Sequence, residues 1–95
     1  MELLKCEDLV IDQDNKLCSI SGEEITLTKK EYELLVFLVL HPNFIHSREE
    51  LINQVWNKEV TDRTVDTNIM RLRHKLGKYG ENIYTRVGWG YGFKM

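Results

Sequence analysis

Only one proline, Pro42, occurs in the 95 residues, and no apolar run exceeds Leu34–Leu40. With 42% hydrophobic and 29% charged side chains, such a chain fits neither a disordered nor a fibrous class. The run is about a third of the ~20 apolar residues that a bilayer-crossing helix needs, so no membrane partner is expected. No basic-then-apolar leader opens the sequence, and a cytoplasmic location is the expectation. The two cysteines, Cys6 and Cys18, fall in strand-like segments without CxxC or other ligand spacing. They read as small reduced hydrophobes rather than as a disulfide or metal pair. Repeats, low-complexity tracts and linkers are missing too, so residues 1–95 read as one domain with one core.

What is present is a charge asymmetry. The net charge is −2, which by itself speaks weakly against a polyanion partner. Residues 1–60, however, carry twelve acidic against six basic side chains, and residues 61–95 carry three against seven. A basic C-terminal third on an acidic body suggests one face suited to a polyanion, although a solvated charged face accounts for it as well.

Along residues 1–27, LLKCEDLVID and NKLCSISGEEITL alternate β-favouring runs with the turn-prone DQDN and SGEE. That predicts an antiparallel meander of about four short strands ending near Leu27. Thr28-Lys29-Lys30-Glu31 is a capping box, opening a helix through Leu40 that His41-Pro42 stops. Its apolar side chains cover most of the circumference, so it should be central and buried. After the extended Phe44-Ile45-His46, Ser47-Arg48-Glu49-Glu50 forms a second capping box and opens a second helix, with Leu51, Ile52, Val55 and Trp56 on one side. A third helix is expected from about Arg63 to Leu76, capped by Asp62 and closed by Gly77. Extended runs Ile83–Val87 and Tyr91–Lys94 follow. Residues 1–27 would thus be a sheet, 28–77 a three-helix core, and 83–95 a hairpin. The fold class is α+β, a winged helix-turn-helix with an N-terminal four-stranded antiparallel sheet, three helices and a C-terminal β-hairpin wing.

At about 100° per residue, Val65, Ile69, Leu72 and Leu76 form a narrow stripe on the third helix. The opposite side presents Arg63, Thr67, Met70, Arg71 and His74, with Thr64, Asn68 and Lys75 along one shoulder. These are types that a major groove accepts. Arg71 can pair bidentately with guanine, Asn68 with adenine, and Thr67 can meet a thymine methyl. Arg63 and Thr64 lie in the first turn, where backbone N–H groups also favour a phosphate. Any exposed helix face is polar, but that does not explain why this one holds no glutamate.

Gly88, Gly90 and Gly92 alternate in RVGWGYGF. A dinucleotide fingerprint needs its glycines between a strand and a helix start, and only two residues follow Phe93. The glycines therefore mark a hairpin tip near Gly88-Trp89-Gly90 that requires positive φ. Arg86 and Tyr91 flank the tip, while Trp89 either projects from it or packs against the third helix.

The ordered segments LTKKEYELLVFLVLHPNFIHSREELINQVW, RTVDTNIMRLRHKLG and YTRVGWGYGF resemble the C-terminal effector domain of OmpR/PhoB-type response regulators over essentially the whole chain. The resemblance implies sequence-specific binding of double-stranded DNA in transcription regulation. The third helix would read the major groove and the wing would reach the neighbouring minor groove, on tandem direct-repeat half-sites. It implies base reading by Asp66, Thr67, Asn68 and Arg71. Phosphate contacts fall to Arg63, Thr64, Arg73, His74, Lys75 and Tyr91, and wing contacts to Arg86 and Trp89. No cofactor or metal is expected, and no catalytic residues. The histidines His41, His46 and His74 read as surface or capping residues.

Two features depart from the family pattern. Val87 stands where arginine often precedes the first wing glycine, with Arg86 one position earlier. The loop Asn57–Thr61, the family's site for RNA polymerase, is shorter than in many members. A receiver domain, phosphorylated by a sensor kinase in a phosphorelay, usually precedes such a domain; the expectation is an excised effector domain, with a stand-alone regulator or a winged-helix protein-interaction module as alternatives.

Overall fold

The computed structural model describes residues 3–95, so residues 1 and 2 of the expected sheet lie outside the described residues. Four strands, β1 (Leu3–Cys6), β2 (Leu9–Asp12), β3 (Leu17–Ile20) and β4 (Glu23–Ile25), pair antiparallel in chain order. Their turns use left-handed backbone where the sequence supplies short polar residues. Ser21 (φ 53) and Gly22 (φ 81) both take positive φ between Ile20 and Glu23, as a two-residue hairpin turn matching strand twist requires. The Asp12 carboxylate accepts from the backbone N–H groups of Asp14 and Asn15, which sets the preceding turn. Leu9, Ile11 and Cys18 point inward and join the helices in one core.

Helix α1 (Lys29–Leu40) starts on the expected capping box, both halves of which are formed. Thr28 Oγ1 accepts from Glu31 N at 3.2 Å, and Glu31 Oε1 accepts from Thr28 N at 2.9 Å. Leu34, Leu35, Leu38 and Val39 are buried, and the helix ends at His41 before Pro42.

The second and third helices correct the sequence reading in detail. Ser47 caps α2 (Arg48–Leu51) through Glu50 N. The expected reciprocal bond is replaced, because Glu50 turns its carboxylate to His46 Nδ1 at 2.9 Å. The segment then continues as a π-helical turn, Ile52–Trp56, rather than as regular helix. Asn57 N–H closes that turn on the Ile52 carbonyl, and the turn stops at left-handed Asn57 (φ 52). Lys30 Nζ braces it at the Val55 carbonyl, 2.9 Å away. Helix α3 (Asp62–Lys75) is capped by Thr61, not Asp62. Thr61 is extended and its hydroxyl accepts from Thr64 N, while Asp62 occupies the first helical position, where a carboxylate faces the positive helix end.

Gly77 (φ 57) ends α3 but leads into a 3-10 turn, Gly77–Asn82, which the sequence pattern did not reveal. Tyr79 within it is buried, and its hydroxyl donates to Asp8 in the β1–β2 turn. Ser21 and Lys78 also reach the Asp8 carboxylate. The Ser21 bond foremost holds that carboxyl below its ordinary range, burial opposing and Lys78 assisting. This joint ties the N-terminal sheet to the end of α3. Strands β5 (Ile83–Arg86) and β6 (Gly90–Phe93) form the C-terminal hairpin; against the expected Ile83–Val87 and Tyr91–Lys94, β5 stops one residue earlier and β6 is shifted one residue toward the tip.

Candidate nucleic-acid interface

Helix α3 divides sharply into two sides. Val65, Ile69, Leu72 and Leu76 are each at most 1% exposed, and their packing fixes the helix's rotation. Arg63, Met70, Arg71 and His74 consequently face solvent, with Thr64, Thr67 and Asn68 half-buried between. Asn68 Nδ2 donates to the Thr64 carbonyl one turn back at 2.8 Å. Lys75 turns to the other side of the domain, where its ammonium lies 2.6 Å from the buried Glu31 carboxylate. Burial alone pushes the Glu31 carboxyl up, but Lys75 and the Thr28 backbone and hydroxyl together bring it below its ordinary value.

On the opposite shoulder of α3, Asp66 and Arg73 belong to a cluster that joins α2, α3 and the hairpin. Arg48 grips Asp66 with two bonds, Nε to Oδ1 at 2.8 Å and Nη2 to Oδ2 at 3.2 Å. The Tyr91 hydroxyl donates to the same Oδ1. Arg73 Nε donates to the Ile83 carbonyl at 3.0 Å, and its Nη2 reaches the Thr85 hydroxyl. The two guanidiniums lie over the Tyr91 ring, 6.0 Å (Arg48) and 5.7 Å (Arg73) from its centroid. The Arg48 bonds chiefly hold the Asp66 carboxyl below its usual range, burial opposing and Tyr91 assisting. Burial first, then the hydrogen bond to Asp66 and its charge, raise the Tyr91 phenol, with Arg48 opposing.

Sequence reasoning missed Arg48 as a member of this cluster. A signal existed: a cation in the first turn of a helix sits against the unfavourable end of the helix dipole, which implies an anionic partner from elsewhere.

The hairpin is held from its far edge as well. The α1–α2 link runs antiparallel to β6, bridging His46 to Tyr91, while Asn43 N donates to Phe93 O at 2.8 Å. A Cβ on Gly90 would collide with the His46 carbonyl, and one on Gly92 with the Phe44 carbonyl. Two of the three alternating glycines thus admit a neighbouring backbone. Gly88 (φ 85) supplies the turn itself, with Trp89 N donating to Arg86 O at 2.9 Å. Trp89 is 72% exposed and Val87 89%, so Trp89 projects from the tip and does not pack against α3. Arg86, exposed, lies at the end of β5 beside it.

His46 corrects the expectation of a surface or capping residue. It is 5% exposed, with Nδ1 on Glu50 and Nε2 3.0 Å from the His41 carbonyl.

Among the described residues no helix is long and apolar enough to cross a membrane. Residues 22–93 match the family model described as "Transcriptional regulatory protein, C terminal". The chain is similar to the transcriptional regulatory protein ResD of Bacillus subtilis, 42% identical over 91 residues, covering 92% of this chain and 38% of ResD. It therefore spans about two fifths of the length of that curated relative. The Klebsiella pneumoniae RstA DNA-binding domain, solved in complex with the RstA box, superposes with a TM-score of 0.90 at 28% identity, covering 99% of this chain and 98% of that one. The Thermotoga maritima response regulator DrrB, an OmpR/PhoB homologue, gives a TM-score of 0.89 at 34% identity, covering 98% of this chain and 44% of DrrB.

Proposed function

This chain belongs to the family of transcriptional regulatory protein C-terminal domains, of the OmpR/PhoB response-regulator type, and on that premise we propose that it binds double-stranded DNA sequence-specifically to regulate transcription. The family is one of regulators rather than enzymes. The observation that carries the reading is the partition of α3: one side is locked in the core, and the other presents Arg63, Thr67, Met70, Arg71 and His74 beside an exposed hairpin tip.

In this reading α3 enters the major groove. Arg71 pairs with a guanine edge, and Thr67 and Asn68 contact neighbouring bases. Arg63, Thr64 and His74 meet phosphates on either side, and Arg86 with Trp89 reaches the adjacent backbone or minor groove. Helix α2 crosses the backbone as the first helix of the pair does in such motifs. Two copies would lie head to tail on direct repeats about one helical turn apart.

The remaining length of the relatives leaves room for a receiver domain ahead of residues 1–95. A cytoplasmic sensor-kinase phosphorelay would act through it, with Asn57–Thr61 available to RNA polymerase.

Selection from a random duplex pool tests the reading. Enrichment of a tandem repeat, bound with an affinity that falls steeply with salt, is the expected result. Failure to enrich any sequence at low salt would overturn it in favour of a winged helix that docks protein.

A further inference from the structure

We infer that Asp66 is a positioning residue that locks the wing to the reading helix and contacts no base. The inference rests on the DNA-binding reading for its consequence, but its structural half stands on the free protein. A carboxylate that reads a base must present oxygen lone pairs to a cytosine amino group. Both Asp66 oxygens already accept within the protein: Oδ1 from Arg48 Nε and the Tyr91 hydroxyl, Oδ2 from Arg48 Nη2. Turning the carboxylate toward a base edge would strain or release a bidentate guanidinium pair, a strong geometry for a carboxylate, and take the acceptor from the hydroxyl of buried Tyr91.

What the three residues join is informative. Arg48 begins α2, Asp66 lies in the second turn of α3, and Tyr91 is in β6 of the hairpin. Arg73, one face-repeat along α3 from Asp66, pins β5 at Ile83 and Thr85 and also lies over the Tyr91 ring. Tyr91 is thus contacted by two guanidiniums and a carboxylate. Asp66 supplies the only negative charge in this group of four, and without it two guanidiniums would share the Tyr91 ring with no counter-charge among them. The angle between wing and reading helix, which decides whether Arg86 and Trp89 meet DNA while α3 is seated, follows from that carboxylate.

The test uses the chain with Asp66→Asn, Asp66→Ala and Tyr91→Phe, and two readouts. In the free protein, amide exchange at Trp89 and Tyr91 should quicken about tenfold or more in Asp66→Ala, with Asp66→Asn intermediate, while exchange in α1 stays unchanged. On the duplex enriched from the random pool and its single-base variants, Asp66→Asn should weaken every sequence by a similar factor, about three- to thirtyfold. The slope of affinity against salt should fall by about one as the wing loses a phosphate contact, a change that lower fold stability alone does not produce. Unchanged wing exchange, or a preference altered at one base position (the amide offers a donor where the carboxylate offers none), would overturn the inference. If no duplex is enriched, the DNA-binding reading fails, and the exchange data alone decide whether Asp66 holds the wing.

Discussion

His46 and Tyr91 exchange a pair of backbone hydrogen bonds, His46 N to Tyr91 O at 2.8 Å and Tyr91 N to His46 O at 3.0 Å. This pair extends the hairpin, a two-stranded ribbon that is marginal alone, into a three-segment arrangement with β6 in the middle. It depends on Gly90, which lies against the His46 carbonyl with φ 143. Gly90→Ala should therefore cost at least the about 1–3 kcal/mol of a backbone forced into that region, with the collision added. Urea unfolding gives the loss, and faster exchange of the Tyr91 amide would show that the wing has come off the link.

Leu72 is fully buried and Met70, two residues earlier on the same helix, is 65% exposed. Leu72→Ala should cost about 2–5 kcal/mol; Met70→Ala should stay within about 0.5 kcal/mol. Similar losses for the two would mean that α3 is rotated from the orientation described.

The Arg48–Asp66–Tyr91 cluster sets a pH window for wing docking. The folded Asp66 carboxyl is depressed, so its contribution is complete above the ordinary carboxylate range and is lost as pH falls through the folded value. The Tyr91 phenol is raised, so its contribution holds below the ordinary phenol range and is lost on the alkaline side. Exposed Trp89 fluorescence, read in a Trp56→Phe background, should be flat between about pH 5 and pH 9. A transition near neutrality would point to a different group.

Burial pushes the Cys18 thiol up to about 11, and raises Cys6 less. At neutral pH iodoacetamide should label Cys6 first and reach Cys18 only through unfolding, since the thiolate is the reactive form. Mass spectrometry of partly labelled protein distinguishes the order.

Much of this architecture was readable from local pattern. The stripe Val65, Ile69, Leu72 and Leu76 has helical period, and Thr28 with Glu31 announces a helix start within four residues. What escaped depends on partners distant in sequence. His46 looked like a surface residue because its burial requires β6 beside it. The tie of Asp66 to Arg48, eighteen positions upstream, is not visible from the helix that carries Asp66, whose base-reading assignment came from the family resemblance. The 3-10 turn after Gly77 lacks a periodic signal; Tyr79 holds it through Asp8, seventy-one positions away. The alternating glycines raised the right question, and the positive φ expected at the tip holds for Gly88 and Gly90, but the approach of the Phe44 and His46 carbonyls to Gly92 and Gly90 was not legible.

The solvent face of α3 as a reader of base edges is best tested by Arg71→Ala on the enriched duplex and on every single-base variant of it. A loss of about 1–3 kcal/mol on the preferred sequence, with discrimination relaxed at one position only, is the predicted outcome. Equal losses on preferred and scrambled duplexes would contradict it.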